Sequence, residues 1–270
     1  IYISMNMPNT FREKLKEGKP TIGTHYLSSD PDLPEIIGDT GLYDYGEFSA
    51  EYTVFDFQLL FHMARSGQCS NLPLLIKLDQ ASQTFWAQAA LGAGFKSVLF
   101  TDIRKAEDIN VCQQAIKPES PGVNGHMGVK LRRPTFGMDG IADSYLEDLN
   151  DIVFMIMIEK GSAVDDLDKV LDAAKNKGVD MIQWGPADYS LTLGKLGKIG
   201  PEEIRPTEEL VIKKSLEYGL HPRAEIGDPD QANRYIDLGV RHFCMGWDRF
   251  IYQDHLVKIG EGLRKLTDKL

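Results

Sequence analysis

Eight short apolar runs, separated by amphipathic segments, are the feature that most constrains the fold of this 270-residue chain. Several of the runs are continuously apolar rather than alternating, as is typical of parallel strands that helices cover on both faces. The segments between them carry helix signals: Asp32-Leu33-Pro34-Glu35 opens one helix, and Gly178 follows the end of another. The predicted strands are Thr21–Leu27, Tyr43–Ala50, Leu72–Leu78, Ser97–Ile103, Ile152–Glu159, Asp180–Gly185, His221–Ile226 and His242–Trp247.

Eight strands, each followed by a helix, with Leu256–Leu266 in the last, predict an α/β fold. The specific prediction is a (β/α)8 TIM barrel that forms a single domain over residues 1–270. A doubly wound open sheet is the alternative, but that fold usually has fewer strands and a glycine-rich first turn. The dinucleotide-binding pattern GxGxxG does not occur, and neither does the P-loop pattern. We expect residues 1–10 to be a loose N-terminal segment.

Composition excludes several classes of protein. The chain has 30 Lys+Arg against 40 Asp+Glu, and this net charge of −10 argues against binding to nucleic acid or to an anionic membrane. No stretch is apolar for long enough to predict a membrane-spanning helix. Cys69, Cys112 and Cys244 lack metal-site spacing, and no secretion signal is recognisable, so we expect a cytoplasmic location.

Two acidic residues stand where predicted strands end. Seven apolar residues run up to Glu159, and the next strand breaks into a Gly-Pro-Ala turn followed by Asp188. In a barrel of this kind the active site lies at the carboxyl ends of the strands, so both carboxylates would project into one mouth. Oxygen-rich sites of this type favour Mg²⁺ or Mn²⁺. For either residue alone, pairing of Glu159 with Lys160, or capping of a short helix by Asp188, is an equally good interpretation.

Four other polar residues are candidates for chemistry. Lys77 ends the third strand and could bind a substrate carboxylate, form a Schiff base or extend to solvent. Tyr52, after the second strand, could donate a proton or only line the pocket. His25 ends the first strand, and His126 lies in the irregular segment 117–138, which we expect at the mouth of the barrel. A lone histidine is, however, more often structural.

At Glu159 and in the GPADYS segment 185–190 the chain resembles the HpcH/HpaI aldolase family. These are metal-dependent class II pyruvate aldolases, grouped with 2-dehydro-3-deoxyglucarate aldolase and macrophomate synthase. The resemblance runs from Phe11 to the last helix. It implies that Glu159 and Asp188 hold a divalent metal ion (Mg, Mn or Co). It also implies that the amides around Gly185 and Ala187 bind the carboxylate of a 2-oxo acid.

The chain also departs from the family pattern. Tyr52, in Glu51-Tyr52, stands where the family has the histidine that performs acid/base work. Lys77 replaces the arginine that binds the pyruvate carboxylate, Met157 replaces a glutamine before the metal-binding glutamate, and Gly92 replaces the aspartate that supports the histidine. The resemblance therefore implies a divergent member in which the metal site is retained and the proton-transfer groups differ.

We therefore predict a metal-dependent carbon–carbon lyase, an aldolase that acts on a 2-oxo acid and an aldehyde through a metal-stabilised enolate. Tyr52, Lys77 and His126 are the predicted catalytic residues. A Schiff-base lyase that uses Lys77, a barrel without turnover and a malyl-thioester type of lyase are the alternatives. The apolar residues of the last helix, which the family packs against a neighbouring subunit, predict a homo-oligomer, from dimer to hexamer.

Overall fold

Eight parallel strands close into a barrel in the computed structural model, which describes residues 7–129 and 144–270. Neighbouring strands pair in chain order, and the last pairs with the first. All eight predicted strands are confirmed, with small differences at their ends. They are β1 Thr21–Tyr26, β2 Tyr45–Ser49, β3 Leu74–Leu78, β4 Ser97–Phe100, β5 Val153–Ile158, β6 Met181–Trp184, β7 His221–Ile226 and β8 His242–Trp247.

Helices follow the strands and cover the outside of the barrel. The predicted helix end before Gly178 is confirmed, since that helix ends at Asn176 and Gly178 adopts the left-handed conformation at φ +74°. The helices are α1 Thr10–Lys16, α2 Leu33–Asp39, α3 Phe57–Cys69, α4 Gln83–Ala93, α5 Ala106–Ile116, α6 Ser144–Asn150, α7 Gly161–Asp165, α8 Leu167–Asn176, α9 Pro186–Thr192, α10 Pro201–Glu217, α11 Ala232–Asp237 and α12 Asp248–Thr267.

The chain before β1 closes the amino-terminal end of the barrel. Phe11 in α1 is fully buried, and its ring stacks on that of Tyr45 at 4.3 Å. The buried Asn9 side chain donates hydrogen bonds to the carbonyl oxygens of Lys96 and Asp151, at 2.9 and 2.7 Å. These contacts hold Asn9 in place, and α1 begins at Thr10, so the predicted loose segment over 1–10 does not include these two residues. Residues 1–6 lie outside the described part.

Residues 117–129, the described part of the segment that contains His126, follow α5 and lie away from the mouth. Because α5 runs back from the carboxyl end of β4, Gln114 near its end lies towards the opposite side of the barrel. The His126 amide donates to the Gln114 carbonyl oxygen at 2.7 Å, and its own carbonyl oxygen accepts from Gln88 at 3.0 Å. The predicted place of this segment at the mouth is therefore wrong for residues 117–129. Residues 130–138 lie outside the described part.

The C-terminal helix α12 is exposed along most of its length. None of its 20 residues is buried, although it carries Phe250, Leu256 and Leu263, of which Leu263 is 63% exposed. Ile22 on β1 is also exposed, at 46%, so this outer face of the barrel is not fully covered. Across residues 7–129 and 144–270, no helix combines the length and apolar character needed to cross a membrane.

Candidate active site

The carboxyl ends of the strands surround a cavity of about 240 Å³. Its lining includes Lys77 from β3, Glu159 after β5, Asp188 after β6 and Glu225 from β7. A second cavity of about 240 Å³ shares Tyr52, Glu159 and Asp188 with the first. The structure therefore brings together the two predicted metal ligands, the predicted substrate-binding lysine and Tyr52 at one mouth.

Glu159 is held in place by the backbone of the neighbouring strand. Its side chain is buried, and the Asp102 amide donates a hydrogen bond to Glu159 Oε1 at 2.7 Å. Asp102 has φ +63°, a conformation that is uncommon for a residue other than glycine and is often found at functional sites. Lys160 Nζ lies 2.6 Å from Asp102 Oδ1 and 2.8 Å from Asp188 Oδ1. Lys160 thus pairs with the two aspartates, and not with Glu159 as in the alternative interpretation.

Gly185 allows the chain to pass close to Glu159. A Cβ at this position would lie 2.5 Å from Glu159 Oε2, a distance that real Cβ atoms do not adopt. The Gly185 amide donates to the Ile158 carbonyl oxygen at 3.1 Å. Because the amide is paired in this way, the structure gives no support to its predicted binding of a substrate carboxylate, which stays a prediction. Ala187 lies in the first turn of α9 and lines the cavity, so its predicted role stays a prediction.

Lys77 and Tyr52 form a cluster with Glu51. The Lys77 ammonium lies 2.5 Å from Glu51 Oε1 and donates to Tyr52 Oη at 3.2 Å. Burial alone would lower the pKa of Lys77, but the Glu51 carboxylate and its neighbours raise it above its ordinary value. Burial raises the pKa of Tyr52. Lys77 is therefore a charged ammonium and Tyr52 a neutral phenol, which disfavours a Schiff base because its formation needs the free amine.

The donor set fits a hard divalent cation. Burial raises the pKa of Glu159 to about 7, and the charge of Asp188 adds to this effect, against the opposing effects of the Asp102 amide and Lys77. In the part of the chain that the structure describes, no three His, Cys, Asp or Glu side chains form a metal-binding group. The protein would thus supply the two carboxylates, and water or substrate oxygens the remaining ligands, as is usual for Mg²⁺.

A buried polar network beneath the cavity was not predicted from the sequence. Arg223 Nη1 lies 2.5 Å from Glu47 Oε2, and both side chains have zero exposure. Arg223 also donates to Tyr45 Oη at 3.2 Å and to Gln183 Oε1. The only sequence signal is the presence of Arg223 and Glu225 two residues apart within a predicted buried strand, which places both on one face.

Two predicted histidines do not lie among the residues that line the mouth. His25 is 1% exposed and lies beneath Glu225, with Nε2 3.0 Å from Glu225 Oε1 and Nδ1 3.6 Å from the Cys244 sulfur. His126 contacts α4 and α5 instead, as described above. The predicted catalytic role of His126 therefore has no support from its position within the described chain.

Comparison with known proteins identifies the family. A family model described as HpcH/HpaI aldolase/citrate lyase matches residues 59–248. The chain belongs to this family. The 2-keto-3-deoxy-L-rhamnonate aldolase of Escherichia coli K12 is 26% identical over 251 residues, which cover 93% of this chain and 91% of the relative. The predicted family and the prediction of an aldolase-type lyase are confirmed.

Solved structures of low identity share the fold. The HpcH/HpaI aldolase from Desulfitobacterium hafniense DCB-2 has 22% identity and a TM-score of 0.79, covering 94% of this chain and 96% of that chain. Macrophomate synthase has 15% identity and a TM-score of 0.80, covering 98% of this chain and 92% of that chain. At these identities the likeness establishes the fold alone, and it agrees with the predicted (β/α)8 barrel.

Proposed function

We propose that this chain is a divalent-metal-dependent aldolase that makes or breaks a carbon–carbon bond beside a 2-oxo acid group. The observation that carries the proposal is that Glu159, Asp188 and the charged Lys77 line one cavity. Glu159 and Asp188 would hold Mg²⁺, Mn²⁺ or Co²⁺. When bound, such an ion supplies Lewis-acid stabilisation of the negative charge that develops on the 2-oxo group. The substrates would be small molecules, a 2-oxo acid and an aldehyde.

Lys77 would bind the carboxylate of the 2-oxo acid. An ammonium group has three donors, and Glu51 and Tyr52 occupy two of them. The third is free to bind a substrate carboxylate, and the charge of Lys77 compensates the added negative charge. Binding by the Ala187 amide remains a second expected contact.

Proton transfer in this proposal uses the cluster beside Lys77. A neutral Tyr52 keeps the proton on Oη and donates a hydrogen bond to the oxygen on which negative charge develops. Glu51 is a carboxylate that lines the mouth beside Tyr52, so it is the side chain that we assign as proton acceptor. With His126 placed elsewhere, no histidine is needed for this scheme.

Metal-dependent exchange of the C3 protons of pyruvate for deuterium, followed by NMR, tests the function. We expect exchange in the wild-type protein with Mg²⁺, Mn²⁺ or Co²⁺. Tyr52→Phe should slow it only about tenfold, because one hydrogen-bond donor is lost. Glu51→Gln should slow it about a hundredfold or more, because the proton acceptor is lost.

Two outcomes would contradict these assignments. Absence of exchange in the wild-type protein with all three metals would overturn the proposed function. Loss of all exchange in Tyr52→Phe, with metal affinity retained, would instead make Tyr52 the essential acid/base group. The variant Glu217→Gln, an exposed carboxylate on α10, serves as a control and should exchange at the wild-type rate.

We also propose that the protein is a homo-oligomer, from dimer to hexamer, in which α12 packs on a second copy. The exposed apolar residues of α12 and the exposed Ile22 on β1 support this arrangement. Light scattering at micromolar concentration should give at least twice the chain mass of 30.3 kDa. The double variant Leu263→Glu/Leu266→Glu should shift the mass towards a monomer, whereas the control Lys265→Glu should not. A wild-type monomer would refute the proposal.

The cytoplasm remains the expected location. The three cysteines Cys69, Cys112 and Cys244 are all free thiols. Free thiols are typical of proteins in a reducing compartment.

A further inference from the structure

Strand β7 carries two charged side chains into the barrel. The function proposed above assigns a role to neither of them. Arg223 is buried and neutralised by Glu47. Glu225, two residues later on the same face, lines the cavity, and 33% of its side chain is exposed. Glu225 therefore presents a carboxylate to the cavity to which the proposed mechanism gives no role.

The buried network holds Glu225 in one orientation. Gln183 Oε1 accepts from Arg223, which leaves the Gln183 amide nitrogen to donate to Glu225 Oε2 at 2.9 Å. The Trp247 indole donates to Glu225 Oε1 at 3.2 Å, and His25 Nε2 lies 3.0 Å from the same oxygen. Burial alone would raise the pKa of Glu225, but the contact with His25 lowers it to about 2. Glu225 is thus an ionised, oriented acceptor.

An ionised carboxylate can only accept hydrogen bonds, and it has about four acceptor positions. Three N–H groups, from Gln183, Trp247 and His25, approach Glu225 in the structure. At least one position therefore remains for a donor from the cavity. The pKa of His25 is raised to about 11 by Cys244 and Glu225 against the lowering effect of burial, so a positive charge already compensates the carboxylate. A neutral hydroxyl fits this acceptor better than a cation does.

We propose that Glu225 is a specificity-determining residue that accepts a hydrogen bond from a hydroxyl group on the aldehyde portion of the substrate. This inference rests on the proposed aldolase function, since it assigns a further contact in the same cavity. The rings of Tyr52 and Trp247, with centroids 5.8 Å apart, line the cavity beside Glu225. They provide apolar faces for the C–H groups of a short hydroxylated chain. Lys77 and the two carboxylates that would hold the metal line the same cavity, where the 2-oxo acid would bind.

Matched acceptor aldehydes test the inference in the full-length, metal-loaded protein. Pyruvate is supplied with glycolaldehyde or with propanal, which replaces the hydroxyl by a methyl group of similar size, and kcat/KM for aldol addition is measured for each. We expect a preference for glycolaldehyde of about 10- to 100-fold, the range for a hydrogen bond to a charged group. In Glu225→Leu and Glu225→Ala this ratio should fall to near one. Glu217→Gln should retain the wild-type ratio.

Deuterium exchange of pyruvate without an aldehyde separates the two proposals. Exchange that persists in the Glu225 variants shows that they fold and keep the 2-oxo acid site, so a change in the ratio then reports on aldehyde recognition alone. The inference is overturned if the wild-type protein exchanges but shows no preference. It is also overturned if a Glu225 variant that still exchanges keeps the wild-type preference, or if its kcat/KM falls by the same factor for both aldehydes. Absence of exchange in the wild-type protein overturns the proposed function, and this inference with it.

Discussion

Glu159→Gln and Asp188→Asn should each abolish divalent metal binding and reduce pyruvate proton exchange on the order of a thousandfold. Glu159 and Asp188 are the two carboxylates proposed as metal ligands, so loss of either would remove half of the proposed protein donors. A neutral amide keeps the shape of the side chain but removes the charge that a hard cation requires. The measurement is calorimetric titration with Mn²⁺, followed by the exchange rate at saturating metal.

The matched control for this experiment is Lys160→Met. Lys160 contacts Asp188 and Asp102 but cannot ligate a cation. Its removal leaves Asp188 without this counter-charge and Asp102 with only the longer pair to Arg104, at 3.8 Å, so Mn²⁺ affinity should rise or stay constant. Retained wild-type affinity in both Glu159→Gln and Asp188→Asn would show that the metal binds elsewhere. Loss of affinity in Lys160→Met alone would show that the lysine, and not the carboxylates, organises the site.

The barrel could be predicted because its strands are short apolar runs. β5 is buried at all six of its positions, so its residues show no alternation and signal a strand covered on both faces. Helix α5 explains why the predicted position of His126 is wrong. Ile109, Cys112 and Ile116 bury one face of this helix, which returns the chain towards the amino-terminal end of the barrel, and the prediction of segment 117–138 at the mouth does not take this return into account. That omission placed His126 at the wrong end of the barrel.

The residues around the cavity also differ in whether the sequence alone could predict them. Glu159, Asp188 and Lys77 were predictable because each is a charged residue that interrupts or ends an apolar run. The pairing of Glu47 with Arg223 was not predictable, because the two residues lie on β2 and β7, far apart in sequence, and only barrel closure brings them together. The left-handed backbone of Asp102 and its amide contact with Glu159 leave no mark in the sequence pattern either.

Arg223→Ala should destabilise the protein by about 3–5 kcal/mol, the usual effect of removing one partner of a buried ion pair. The variant leaves the Glu47 carboxylate charged in the barrel interior. Of the hydrogen bonds to this side chain in the described chain, only the long one from Ser49 Oγ, at 3.4 Å, then remains. The variant also removes the donor that orients Gln183. The free energy of unfolding in urea, measured at fixed protein concentration, provides the test.

The double variant Glu47→Leu/Arg223→Leu distinguishes the charge from the packing. With both charges gone and apolar volume restored, it should recover much of the stability lost in Arg223→Ala, because the desolvation penalty of both ions is removed. Lys169→Ala, which breaks an exposed pair with Asp166, is the surface control and should leave unfolding unchanged. If Arg223→Ala unfolds like the wild-type protein, then Glu47 is not held as a buried charge. If the double variant is as unstable as Arg223→Ala, the loss comes from packing and not from the orphaned carboxylate.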